Sequence, residues 1–206
     1  MPVAAAAAPA PLPLLLIGAF LLGAVPFGFL AGKLLKGVDL REHGSGNIGA
    51  TNTLRVLGTG PGLVVLALDV LKGYVPVAAA QALFRSEPWW VMGIGLAAIL
   101  GHTFSPFLGF KGGKGVATSL GVLIGLSPLV AAGALAGFAA VVALTRYVSL
   151  GSIVAAALQA VLFFALPHPL PFRLFGLLIA GFVIAKHRPN IARLRSGTES
   201  KFGAKK

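Results

Sequence analysis

Seven apolar runs leave this chain few ways to fold. They cover about residues 12–32, 62–84, 89–108, 116–127, 129–145, 150–166 and 171–186, against the roughly 20 apolar residues that a helix needs to cross a bilayer. One small core could not bury so much apolar surface: 57% of the 206 residues are hydrophobic and 11% charged, with a mean hydropathy of +0.92. An ordinary soluble domain is excluded. The expected fold is all-α, an integral membrane protein of about seven transmembrane helices. Ser127 and Pro128 interrupt the stretch 116–145, which reads as two short or tilted helices joined by a tight turn, with five spans as the alternative count.

Charge sets the expected orientation. Lys33, Lys36, Arg41, Arg55, Lys111, Lys114, Arg146 and the basic tail from Lys186 to Lys206 can share one side, leaving Arg85 and Arg173 for the other. The positive-inside rule then puts the amino terminus outside and the carboxyl terminus in the cytoplasm. The first span lacks a preceding basic residue and is followed by Lys33 and Lys36, which argues against a cleaved signal peptide. Residues 1–11 read as a disordered Ala/Pro tail, 12–195 as one polytopic membrane domain with motif loops at 36–60, 102–115 and 186–199, and 196–206 as a basic tail. The net charge of +12 serves orientation and attraction to anionic membrane lipids. No nucleic-acid-binding motif is apparent, and no obligate protein partner is evident. With no cysteine in the chain, disulfides, thiolate ligands and an acyl-thioester intermediate on the protein are excluded.

Two glycine-rich basic segments, GSGNIGATNTLR at 44–55 and GFKGGKG at 109–115, stand between the apolar runs. Glycine lets the backbone approach an oxyanion and aim N–H groups at it, while Arg55 and Lys114 supply opposite charge. In the first loop Gly46, Asn47, Gly49, Thr51 and Asn52 are candidate phosphate contacts; Thr51 and Arg55 share a face if the chain turns helical after Gly49. In the second, Gly112, Gly113 and Gly115 surround Lys114 just before an apolar helix, although the GxxxxGK[ST] spacing fails because residue 115 is Gly, which disfavours a nucleotide triphosphatase. A third element, KHRPNIARLRSGTE at 186–199, should end the last span, because Pro189 pushes Arg188 out of the helical region and can open a new helix. Asp69 and Lys72, three apart in an apolar helix, must face the protein interior. Gly121 with Gly125, and Gly133 with Gly137, have the spacing of close helix contacts.

Together KGVDLREHGSGNIGATNTLR, LDVLKG, GHTFSPFLGFKGGKGVAT, RYVSLGSI and HRPNIARLRSGTE resemble, in order and over nearly the whole chain, the bacterial acyl-phosphate:glycerol-3-phosphate acyltransferase family. That family's closing pattern usually carries an acidic residue where this chain has Pro189, which removes a carboxylate there but leaves His187, Arg188 and Asn190. The resemblance implies transfer of a fatty acyl group from acyl phosphate to the 1-hydroxyl of sn-glycerol 3-phosphate, giving lysophosphatidic acid and phosphate, with no cofactor and no metal. Ser45, Arg55, Lys114, His187 and Asn190 are then the catalytic candidates, and the loop residues above, with Ser152 and Arg188, the substrate-binding ones. Ser45 and Ser152 are read as hydrogen-bonding positioners, since neither has an evident base. The His-to-Asp acyltransferase signature is missing at every histidine, so His187, His102 or a substrate phosphate must accept the hydroxyl proton; the resemblance favours the phosphate. A transporter for a phosphorylated metabolite is the alternative, disfavoured by basic residues confined to one face.

Overall fold

The structure, a computed structural model, describes residues 11–203. The tail expected over 1–11 therefore lies, apart from Pro11, outside the described residues, as do the last three of the basic tail. The described residues form ten α-helices and two single 3-10 turns, with no strand among them. Helices α1 (Leu12–Ala24) and α2 (Phe27–Lys36) divide the first apolar run at Val25 and Pro26, where the proline ring removes a backbone donor. α3 (Ala50–Leu57) is short and polar, and joins α4 (Thr59–Leu83) through Gly58. α5 (Pro88–Thr103), α6 (Val116–Leu126), α7 (Pro128–Thr145), α8 (Val148–Ala165), α9 (Leu170–Lys186) and α10 (Arg188–Arg195) follow.

The expected turn inside 116–145 is present. Ser127 caps α7 by accepting the Val130 N–H, with Pro128 in the first turn, a combination that suits a helix start because proline gives up a donor that would be unpaired anyway. By length and composition five segments can cross a membrane, α1 with α2 counting as one, and six if α9 and α10, bent by 58°, count together. α6 has 11 residues, about 16 Å of helix against a hydrocarbon core of about 30 Å. By this measure of length five or six segments suffice, against about seven expected from the sequence with five as the alternative. The last break also falls one residue earlier than expected: His187 leaves the helical geometry and Arg188 already belongs to α10, with Pro189 in its first turn, where a missing N–H costs no helical hydrogen bond.

Small residues bring helix axes together. A Cβ at Gly121 would overlap the Val70 carbonyl, and one at Gly73 the Thr118 carbonyl, so α4 and α6 meet backbone to backbone. Gly133 and Gly137 similarly receive Leu162 and Leu158 of α8, which is how helices associate where lipid removes the hydrophobic driving force. Val77, Val91, Val122, Phe163 and Phe175 are fully buried among them. Leu14, Leu34, Leu129 and Leu144 instead project from the surface, a liability in water and ordinary for helices that face acyl chains.

Candidate active site

The three polar segments converge. A cavity of about 440 Å³ is lined at its polar end by Ser45, Asn47, Gly49, Thr51, Asn52 and Arg55, by Lys114 and Gly115, by Ser149 and Ser152, and by His187, Asn190 and Glu199. Its depth is apolar, with Leu120 and Leu123 of α6, Leu135 and Phe138 of α7, Ala155 of α8 and Ile179 of α9. Leu63 and Leu66 of α4 and Leu135 of α7 line the cavity and are themselves exposed. A second cleft of about 460 Å³ takes Gly46, Gly112, Gly113, Lys186, Arg188 and Arg193, and shares Ser45, Asn47, Lys114 and Asn190 with the first. Arg188 lines only this cleft, and Ser152 only the deep cavity.

Each group has a structural reason for its place. Lys114 donates to Asn190 Oδ1; Asn190 Nδ2 donates to Glu199 Oε1 at 2.7 Å, as does Ser149 Oγ at 2.7 Å. Arg193 Nε holds the other oxygen at 2.6 Å. Glu199 thus anchors the third element to α8 and, through Asn190, orients Lys114. Burial pushes the Glu199 carboxyl up, but hydrogen bonds from Asn190, Ser149 and Arg193 outweigh it and keep it below the ordinary carboxylate value. Burial, against the pull of Glu199 and helped by Arg193 and Arg55, lowers the Lys114 ammonium to about 8. His187 is buried, and its Nδ1 lies 2.8 Å from the Val183 carbonyl. A carbonyl only accepts, which assigns the proton to Nδ1 and leaves Nε2 for the cavity. Ser152 Oγ donates to the Val148 carbonyl at 2.9 Å, so its lone pairs are what it can offer. Arg55 is exposed and reaches the Ser200 carbonyl at 3.5 Å. The chain beyond α10 is pinned by Phe202, whose N–H donates to the Arg146 carbonyl at 2.7 Å and whose carbonyl accepts from Arg146. Phe202 also lines the cavity.

Two expectations are corrected by this geometry. The glycine N–H groups are engaged within the protein: Gly112 N donates to Thr103 O at 3.0 Å, Gly113 N to His102 O at 3.1 Å, and Gly46 N to His43 O at 3.1 Å, while Gly49 N donates to Asn47 Oδ1 at 2.9 Å. Backbone donors in a partly dehydrated site need permanent partners, so at these four glycines the loops present side chains to an anion and use the glycine for packing; Gly115, which lines the cavity, is not among them. Asn52 is likewise committed: Oδ1 accepts from Ser45 N at 2.8 Å, and Nδ2 donates to Leu40 O at 3.0 Å and His43 O at 2.9 Å. It shapes the first loop and has no N–H left for phosphate.

Glu199 and Ser149 had not been singled out from the sequence. The usable signal was Glu199 itself, one of only five acidic residues in the chain, placed inside a basic tail. Asp69 and His102 also line the cavity; the sequence marked both but did not join them. Among the described residues no group of three His, Asp or Glu is arranged to hold a metal ion.

This arrangement defines a class first: an all-helical integral membrane protein with a polar, basic site at the head of an apolar cavity. A family model described as glycerol-3-phosphate acyltransferase matches residues 13–197, and the chain belongs to that family. It is 54% identical over 189 residues to the glycerol-3-phosphate acyltransferase of Trichlorobacter lovleyi, covering 91% of this chain and 95% of that one. With the Halalkalibacterium halodurans enzyme of the same description it shares 48% over 200 residues, covering 94% and 96%. A crystal structure of PlsY (YgiH), an integral membrane glycerol 3-phosphate acyltransferase in its glycerol 3-phosphate form, superposes with TM-score 0.90 at 44% identity, over 93% of this chain and 96% of that one. The protein is accordingly a multi-pass membrane enzyme, a glycerol-3-phosphate acyltransferase.

Proposed function

We propose that the donor is a fatty acyl phosphate and the product lysophosphatidic acid, released with inorganic phosphate into bacterial phospholipid synthesis. The observation that carries this reading is the pair of cavities meeting at Ser45, Asn47, Lys114 and Asn190. One has an apolar depth for an acyl chain, whose removal from water is worth about 0.8 kcal/mol per CH2 group. The other is polar and basic, and suits glycerol 3-phosphate. Lys114 stands at the junction, where both phosphates would need neutralising.

The reaction is a direct displacement. The 1-hydroxyl oxygen bonds to the acyl carbonyl carbon, the carbon–oxygen bond to the donor phosphate breaks, and phosphate leaves with that bond's electron pair. The hydroxyl proton passes to a phosphate oxygen of the acceptor. His187 Nε2, unprotonated in the neutral ring, orients the acceptor by accepting from its other hydroxyl, while Lys114 and Arg55 hold the developing charge in a partly dehydrated site. An activated donor leaves mainly positioning to the protein. The site faces the cytoplasm, with the amino terminus outside, because the basic loops then lie inside.

Purified protein supplied with acyl phosphate and glycerol 3-phosphate should yield equal amounts of lysolipid and phosphate with intersecting double-reciprocal kinetics. Turnover only with an acyl thioester would overturn the donor assignment, and rapid turnover of saturating glycerol would remove the acceptor phosphate as base. Single cysteines at positions 47 and 113 should be shielded from an impermeant reagent in intact cells while one at 87 is labelled; the reverse pattern inverts the orientation.

A further inference from the structure

A buried polar cluster at membrane depth plays no part in the chemistry described so far. Asp69 and Lys72 on α4 are each 2% exposed, and Lys72 Nζ lies 2.7 Å from Asp69 Oδ1. The ammonium also donates to the Val25 carbonyl at 2.8 Å, in the break between α1 and α2, and Ser105 Oγ donates to the neighbouring Ala24 carbonyl at 2.6 Å. α2 in turn lies flush against the first loop, for a Cβ at Gly28 would overlap the Ile48 carbonyl. Asp69 Oδ1 is also 3.8 Å from His102 Nδ1, a buried ring nitrogen without a hydrogen-bond partner. His102 supports the second loop twice: its carbonyl accepts the Gly113 N–H, and its ring fills the space where a Cβ of Gly113 would stand.

One carboxylate therefore faces both the lysine that pins the support of the first loop and the imidazole that supports the second. As a stabiliser such a pair is poor, since dehydrating two charges cancels most of their attraction. Fixing one relative position is a better use of it. We propose that Asp69, Lys72 and His102 form a positioning unit that sets the separation of the two loops, and so the place of Lys114 relative to Ser45 and Asn47. A movement of under about 1 Å closes the gap between Nδ1–H and Oδ1 to hydrogen-bond distance. The imidazole is then locked in one orientation beneath Gly113. The proposal rests on the acyl-transfer reading only for its kinetic test.

Four variants decide it. Asp69→Asn should lower kcat by at least about tenfold, the scale of a misplaced catalytic group, with a KM for glycerol 3-phosphate that changes less. Asp69→Asn combined with Lys72→Met restores charge balance and should stay impaired. His102→Asn, which keeps a donor near Nδ1, should retain more activity than His102→Leu, which keeps the volume. Recovery of full activity in the charge-balanced double variant, or better function with Leu than with Asn at 102, would overturn the proposal. Because such variants can lose their fold, spin labels on Glu42→Cys and Lys111→Cys, two exposed sites in this cysteine-free chain, give a second reading. Their distance distribution should be narrow in the labelled parent and broadened by Asp69→Asn; an unchanged distribution would sink the idea. Absence of acyl transfer by the unmodified protein would count against the acyltransferase reading alone, and the distance measurement would still decide this one.

Discussion

The two glycine-rich loops look alike in sequence and are held in different ways. The first is tied by one side chain: Asn52 bridges Ser45, Leu40 and His43. The second is tied by backbone, Gly112 and Gly113 donating to the last carbonyls of α5, with the His102 ring pressed against a residue that has no Cβ. The same composition thus conceals opposite vulnerabilities. Deleting a side chain should undo the first, and adding a methyl group the second.

Asn52→Ala should have the largest effect. It removes the partner of the Ser45 N–H and one of two donors to each of the Leu40 and His43 carbonyls, three hydrogen bonds worth about 1 kcal/mol each, so we expect kcat/KM to fall about a hundredfold with a protein that still inserts and folds. Activity within a few-fold of the parent would mean that the loop does not depend on this bridge. Next come the charges. Lys114→Ala and Arg55→Ala each remove a charge-assisted contact worth about 1.5–3 kcal/mol, and kcat/KM should fall at least about tenfold. The loss should be larger at Lys114, which is partly buried, than at the exposed Arg55. Near-normal kinetics in either would take that residue out of the site.

Gly113→Ala tests the second loop. The new methyl group must displace the His102 ring, and the outcome should be a KM for glycerol 3-phosphate raised about tenfold with a smaller change in kcat, the pattern of lost binding. If Gly113→Ala proves as damaging as Asn52→Ala, the contrast between the loops disappears. The smallest effect expected is with pH. Lys114, lowered by burial to about 8, loses its charge as pH rises through that value, so KM for the phosphate substrates should climb above about pH 8. Lys114→Arg keeps its charge throughout and should flatten the rise; an identical rise in that variant would place the titration elsewhere.

Much of this was legible in the sequence. Apolar runs marked the helices because lipid-facing residues need no polar complement, Ser127 and Pro128 announced the break between α6 and α7, and Asp69 with Lys72 had to face inward. All the residues put forward as site candidates line one or both cavities. What remained hidden depends on contacts distant in sequence. Nothing local shows that the glycine N–H groups are taken by residues 43, 102 and 103, that Asn52 spends its amide on its own loop, or that Glu199 reaches Ser149 across 50 positions. The division of the first run at Val25 is silent in the sequence because Pro26 sits among uninterrupted apolar neighbours, where hydropathy alone registers no change.

Entry of the donor through a gap between α4 and α7, past the exposed Leu63, Leu66 and Leu135 that line the cavity, would also fix how the donor is counted. An amphiphile that enters through that gap arrives by diffusion in two dimensions, and the quantity that saturates the enzyme is its mole fraction in the bilayer. Added inert lipid at fixed total donor should therefore slow the reaction, while diluting the whole vesicle suspension with buffer at constant glycerol 3-phosphate should leave the rate per enzyme unchanged.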